Sequence, residues 1–270
     1  MVVQHNMAAS NANRQLGIST NTLSKSTEKL SSGYRINRAA DDAAGLSISE
    51  KMRSQIRGLN KASSNAQDGI SAIQTAEGAL NEAHSILQRM NELATQSAND
   101  TNTTADRTAV QSEVNALTNE LSRIASTSQF NTQNLLDGTF TGKNLQVGAL
   151  KNQKITISIR TMNAKALSVN SLNVKSFTNA GSAMTLIQKA ISKVSAQRSD
   201  LGALQNRLEH TVNNLDNISE NTQTAESRIR DTDMASEMVQ YSATSIIQQA
   251  GQSMLAQANS QTQGVLSLIQ

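Results

Sequence analysis

The chain of 270 residues has no proline, no cysteine and no tryptophan, and aromatic residues make up only 2% of it. Without proline, no residue stops a long helix by removing a backbone donor. Without cysteine, disulfides, thiolate chemistry and cysteine-bound metals are excluded. A rounded core normally depends on aromatic bulk. We therefore expect a mainly α fold, an elongated coiled-coil-like helical bundle with a small central β-hairpin region.

Charge and hydropathy argue against a nucleic-acid partner and against a membrane span. The net charge is +3, and the sequence has neither a basic block nor aromatic interleaving, so nucleic-acid binding is not predicted. No apolar run approaches 18 residues, so no membrane span is predicted. The first fifteen residues lack the apolar core and cleavage site of a secretory signal peptide. If the protein leaves the cell, we expect export without a cleaved signal peptide.

An apolar seam in the first half of the chain advances in unbroken steps of four and three residues. Such a repeat averages 3.5 residues per turn and is typical of a helix that packs lengthwise against other helices. It predicts one long helix from about residue 48 to residue 94. The seam consists of Ala62, Ala66, Gly69, Ile73, Ala76, Leu80, Ala83, Leu87, Met90 and Ala94, and Ile48, Met52 and Leu59 extend it backwards.

Polar residues mark where the helices begin. Asp41 and Asp42 are N-cap candidates for the long helix. Thr103 and Asp106 have the spacing of a capping box, which opens a second helix that should fold back on the first. A third long helix is predicted from about residue 182 to residue 226. The strongest seam positions of the three helices are Ile73, Leu80, Leu87, Val114, Leu121, Val194, Leu208 and Val212.

The middle of the chain has a different period. Ile155, Ile157 and Ile159 alternate with threonine and serine, which indicates a strand, and residues 151–154 supply the turn of a hairpin. Leu167 to Val174 suggests further short strands.

The two ends of the chain carry only thin apolar stripes, and we expect them to pair. This gives a nested plan with five segments. They are an N-terminal core helix at 1–42 that pairs with a C-terminal core helix at 231–270, rod helices at 43–136, the β-hairpin region at 137–180, and a rod helix at 181–230.

No catalytic constellation is present in the sequence. His5, His84 and His210 are scattered and lack the spacing of metal ligands. No nucleophile elbow, phosphate loop or dinucleotide fingerprint occurs. We therefore predict no enzymatic activity, no cofactor and no metal site.

Five long segments resemble the signatures of bacterial flagellins. Three lie in the N-terminal half: LSSGYRINRAADDAAGL at 30–46, QDGISAIQTAEGALN at 67–81 and LQRMNELATQSAN at 87–99. SRIRDTDMA at 227–235 and QQAGQSMLAQA at 248–258, with the ending VLSLIQ, resemble the C-terminal signature. The resemblance covers about residues 1–136 and 182–270.

The resemblance implies an extracellular flagellar filament subunit that is exported by the flagellar type III apparatus and serves motility. The partners that it implies are other copies of the chain, an export chaperone, the cap and hook-junction proteins, and a flagellin-sensing Toll-like receptor. At the positions matching the receptor epitope of the family the chain has Arg89, Leu93 and Glu113. The residues that we expect to drive assembly are Leu16, Leu23, Leu30, Ile246, Ile247, Met254, Leu266 and Leu268.

Three other interpretations remain open at this point. A hook–filament junction protein would share flagellin-like ends but would cap a structure in few copies. A signalling ligand for immune receptors is compatible with filament assembly. A coiled-coil enzyme scaffold would need a catalytic constellation, which the sequence does not contain.

Overall fold

The computed structural model describes residues 6–266, and within them the chain forms five helices and two antiparallel hairpins, which confirms the mainly α fold class. The chain divides into two compact units, Met1–Ser54 with Glu220–Gln270, and Gln55–Ser219. None of the helices in the described part is both long and apolar enough to cross a bilayer. The elements are α1 (Met7–Ser32), α2 (Ala43–Ser97), α3 (Thr104–Thr127), β1 (Gln129–Phe130), β2 (Gln133–Asn134), β3 (Lys143–Gln146), β4 (Lys154–Ile157), α4 (Phe177–Arg230) and α5 (Met234–Leu266).

The apolar seam of α2 forms one wall of the core in the second unit. All ten predicted seam positions from Ala62 to Ala94 are buried. Eight of the ten, all except Ala62 and Gly69, join buried side chains of α3, β4 and α4 in one continuous cluster, and Ala62 packs in a smaller cluster with Leu59 and Leu215. The backward extension is wrong at Ile48, which is exposed. A stripe on one helix shows which side is apolar, but it does not show how far along that side a partner packs.

The helix starts follow the predicted caps. The Asp42 side chain accepts a hydrogen bond from the Gly45 N–H at 2.8 Å and so caps α2. Asp41 instead accepts from backbone N–H groups of the preceding turn. The capping box at α3 is confirmed, since Thr103 and Asp106 bond reciprocally. The hydroxyl and N–H of Thr103 lower the pKa of Asp106 because they favour its carboxylate form.

The β3–β4 hairpin covers part of the core with alternate side chains. Leu145 lies opposite Ile155 in the antiparallel register, and Ile155 and Ile157 are buried. The predicted strands between Leu167 and Val174 are wrong, because this stretch is irregular although its apolar side chains are buried. The short β1–β2 hairpin lies before the region where we predicted strands.

Two buried glutamines hold irregular backbone against the helices. Gln111 of α3 accepts a hydrogen bond from the Val174 N–H at 2.7 Å and donates to the Leu172 carbonyl at 2.8 Å. Gln197 of α4 accepts from the Arg160 N–H and donates to the Ser158 carbonyl, both at 3.4 Å. Each side-chain amide thus satisfies backbone groups that burial would otherwise leave unpaired.

In the first unit, the connection between α1 and α2 is bonded to the connection between α4 and α5. Gly33 ends α1 with a φ of 75°, a left-handed conformation that glycine adopts without strain. Its carbonyl accepts from the Thr232 N–H at 3.0 Å, and the Arg35 N–H donates to the Arg230 carbonyl at 2.7 Å. The Arg230 guanidinium lies 4.7 Å from the centre of the Tyr34 ring. We refer to this arrangement as the connector bridge.

Candidate assembly and recognition surfaces

Helices α1 and α5 pack side by side in opposite directions. Asn6, at the start of α1, donates to the Ala258 carbonyl near the end of α5 at 3.0 Å. Halfway along the pair, the Gln248 amide donates to the Thr20 hydroxyl at 3.1 Å. At the other end the Lys29 ammonium lies 3.6 Å from the Glu237 carboxylate. These three contacts fix the register of the pair.

The interface between α1 and α5 has little apolar core. Three predicted assembly residues of α1, Leu16, Leu23 and Leu30, are only half-buried. The one fully buried residue of α1 is Ser26, and the one such residue in the described part of α5 is Thr244. Because burial of apolar area is the main favourable term in folding, this pair gains little stability by itself.

The opposite side of α5 exposes large apolar side chains. Ile246 is 66% exposed, Ile247 is 58% exposed and Met254 is 65% exposed. Met238 and Val239 are also exposed, and our list of assembly residues omitted them. Their spacing of eight from Ile246 and Ile247 is the signal that could have identified them, since residues eight apart share a helix face. We call the five residues Met238, Val239, Ile246, Ile247 and Met254 the outer face of α5.

The remaining two predicted assembly residues lie at the end of the chain. Leu266 is the last residue of α5, but its side chain is outside the described part of the structure. Leu268 lies outside the described residues altogether.

The structure brings Arg89 of α2 and Glu113 of α3 together on the surface. The Arg89 guanidinium donates twice to one Glu113 carboxylate oxygen, at 3.0 and 3.1 Å, and once to Glu92 at 3.2 Å. These hydrogen bonds, Glu113 first, raise the pKa of Arg89. Leu93 differs from this pair, because it is only 2% exposed and belongs to the core cluster.

The titratable side chains of the described residues show no cluster that could hold a metal ion. Within residues 6–266 no group of three His, Asp or Glu side chains lies close enough to hold a metal ion. His84 and His210 are on different helices, and the nearest partner of the His84 ring is Gln88, one turn away. His5 lies outside the described residues.

Comparison with known proteins gives one consistent result. Residues 3–141 match the family model for the bacterial flagellin N-terminal helical region, and residues 184–269 match the one for the C-terminal helical region. Flagellin from Halalkalibacterium halodurans is 56% identical over 271 residues, with both chains fully covered. The flagellar filament 31.3 kDa core protein of Treponema maltophilum is 49% identical over 286 residues, again with full coverage of both. The crystal structure of Bacillus cereus flagellin is 33% identical, with a TM-score of 0.50 over 56% of this chain and 88% of that one.

Proposed function

The chain belongs to the bacterial flagellin family, whose members form the extracellular flagellar filament, and from this premise we propose that it polymerises into such a filament for motility. The observation that carries the proposal is the outer face of α5, a set of large apolar side chains that the described part of the chain leaves uncovered. Surfaces of this kind usually mark protein–protein interfaces. The occupants that we propose are the terminal helices of neighbouring copies.

Assembly would stabilise the terminal helices. The α1–α5 pair buries few apolar atoms within the described chain, so ordering it in a free subunit gains little against the loss of conformational entropy. Contacts from neighbouring subunits would cover the outer face and add the missing apolar burial. We therefore expect residues 1–40 and 231–270 to complete their folding as they enter the filament, with residues 1–42 and 231–270 forming its inner tube and residues 43–230 the surrounding rod region.

The role proposed here is mechanical, and no catalytic step is part of it. Torque would pass along subunits that are held by packed helices. We also propose export by a type III route with a dedicated chaperone, and contacts with cap and hook-junction proteins at the filament ends. These partners are inferred from membership of the flagellin family.

Seeded polymerisation of the purified monomer tests the proposal. We expect long filaments in electron micrographs, together with a rise in helical circular dichroism that follows the loss of monomer. The rise reflects the ordering of α1 and α5. Complete helicity before seeding, with short rings or no growth, would contradict filament assembly and favour the hook–filament junction protein.

We also propose that the paired Arg89 and Glu113 surface is read by a flagellin-sensing Toll-like receptor. Both side chains are about half exposed, and their mutual hydrogen bonds fix the guanidinium in one orientation, so a receptor meets a preformed polar surface. Leu93 is buried beside this surface, and we assign it the role of holding α2 and α3 in position.

Replacing Arg89 with alanine should weaken receptor activation by monomer about tenfold or more, since one or two charge-assisted hydrogen bonds are lost at a contact surface. Arg123→Ala is the matched control, because Arg123 forms a similar exposed ion pair with Glu120 on α3. The measurement is a dose–response curve in cells that report receptor signalling. Equal potency of the two variants would contradict the assignment, and circular dichroism checks that both are folded.

A further inference from the structure

One long segment of this chain contains many basic residues and no acidic ones. From residue 138 to residue 199 there is not one aspartate or glutamate, whereas nine lysines and arginines occur there. The net charge of the whole chain is +3, so the rest of it carries a net charge of −6. The nine residues are Lys143, Lys151, Lys154, Arg160, Lys165, Lys175, Lys189, Lys193 and Arg198.

These cations are largely unneutralised. Arg198 lies 3.6 Å from Glu77, and it is the one member of the nine that takes part in an ion pair within the described chain. The other eight side chains are all exposed. An excess of exposed charge of one sign creates a positive potential that attracts polyanions.

Five of the eight lie on two parts of the second unit that the side chain of Gln197 connects: α4 with the 163–170 loop, and the segment from β4 to residue 160. Lys189, Lys193 and Gln197 follow one another at four-residue steps, so they share a face of α4. The Lys193 ammonium donates to the carbonyl of Ala166 at 3.2 Å, which places it beside Lys165. We call Lys154, Arg160, Lys165, Lys189 and Lys193 the cationic face.

Two of the five residues lie on β4 and just after it: Lys154 is the first residue of β4, and Arg160 follows its end at Ile157. The Gln197 side chain, one turn after Lys193, bonds to the backbone of Ser158 and Arg160. Lys154 and Arg160 are both exposed and alternate with buried isoleucines, so they point to the same side. Over six residues of extended chain they are about 20 Å apart. The face is therefore broad, and its charges are spread along it.

A polar groove borders this face. It has a volume of about 300 Å³ and lies between α3 and the 163–170 loop. Lys165 is at its edge, and Asp137 also lines it, with its carboxylate engaged by the Thr139 hydroxyl at 2.7 Å and by the Asn134 amide at 3.2 Å. The rest of the lining is mainly hydroxyl and amide side chains: Thr118, Asn119, Ser122, Ser126, Asn163 and Asn170.

We propose that the cationic face binds an anionic polysaccharide. Lys154 and Arg160 alone are about 20 Å apart, and charges at such separations suit a polymer with carboxylates or sulfates at intervals. The neighbouring hydroxyl and amide groups suit sugar hydroxyls. Single-stranded nucleic acid fits less well, because the face offers no aromatic side chain on which bases could stack. This proposal does not rest on filament assembly, and monomer suffices to test it.

The test compares two variants of equal net charge. One replaces all five residues of the cationic face with glutamine. The other replaces five exposed basic residues that lie outside residues 138–199, also with glutamine: Lys25, Lys51, Arg57, Lys61 and Arg207. Binding of each monomer to heparin, a sulfated polysaccharide, is measured across a salt series with neutral dextran as the blank. We expect the first variant to bind heparin at least tenfold more weakly than the second, with a shallower salt dependence.

Several results would overturn the proposal. An equal loss of affinity in both variants would mean that heparin responds to net charge alone. Displacement of heparin by duplex DNA at equal charge would reassign the face to nucleic acid. If low-salt sedimentation shows self-association that the first variant loses while its heparin binding is unchanged, the occupant is a second copy of the chain. Circular dichroism of both variants excludes unfolding as a cause.

Discussion

Replacing Ile246 and Ile247 together with aspartate is expected to abolish filament growth while leaving the core of the second unit folded. Both side chains are more than half exposed in the single chain. In a filament they would be buried, and each isoleucine contributes about 2 kcal/mol of apolar burial. Losing both, and placing two carboxylates in the interface, raises the critical concentration by about a thousandfold or more.

The control for this prediction keeps the surface apolar. Ile246→Met with Ile247→Met conserves side-chain volume closely, so it should polymerise at a critical concentration within about tenfold of the natural chain. The measurement is the monomer concentration left after sedimentation of seeded filaments. If the aspartate variant leaves as little free monomer as the methionine variant, the outer face of α5 is not an assembly surface.

The second large effect is expected at Gln111, whose replacement with alanine should lower the free energy of unfolding by about 2–4 kcal/mol. The change leaves the Val174 N–H and the Leu172 carbonyl buried without their side-chain partner, and each such group costs about 1–3 kcal/mol. Urea unfolding followed by circular dichroism measures the loss. Hydrogen exchange at the Val174 amide should accelerate in parallel.

Gln197 provides the comparison for Gln111, because it also accepts from one backbone N–H and donates to one backbone carbonyl, but through longer hydrogen bonds. Its two bonds are 3.4 Å long, whereas those of Gln111 to the backbone are 2.7 and 2.8 Å. Gln197→Ala should therefore cost less than Gln111→Ala. A larger loss at Gln197, or a loss below about 1 kcal/mol at Gln111, would mean that these amides do not hold the irregular segments.

Periodic features of the chain could be predicted from the sequence. The α2 seam from Ala62 to Ala94 follows the 4-3 rule, and every position is buried because helices pack along its whole length. The Thr103–Asp106 capping box was predictable because its two partners lie within four consecutive residues. Sequence patterns therefore predict helices and caps, because the residues that determine them are close together in the chain.

Tertiary features could not be predicted in this way. Leu167 to Val174 has strand-forming residues, yet Gln111 and the hydroxyl of Ser97 satisfy its backbone in place of a neighbouring strand. These partners are 61 to 77 residues away in the chain. A sequence pattern gives no sign of a partner at that separation.

The candidate surfaces were likewise predictable from the sequence only in part. The apolar residues of α5 were recognisable, but the helix carries such residues on two sides, and only the structure shows that Leu255 is half-buried while Ile246 and Met254 face outward. The pairing of Arg89 with Glu113 requires α3 to fold back on α2 in one register. The cationic face has no contiguous sequence signal, because its members are separated along the chain and are brought near one another only by the fold.

The connector bridge has a mechanical consequence. Helices α1 and α5 run in opposite directions, so the chain enters this region through one connection and leaves through the other. Because hydrogen bonds join the two connections, a tensile force on α1 or α5 is carried by both connecting segments of the backbone. If one connection stretches, the other limits its extension. In the proposed motile filament, such redundancy would protect this part of the chain against fatigue under repeated reversal of rotation.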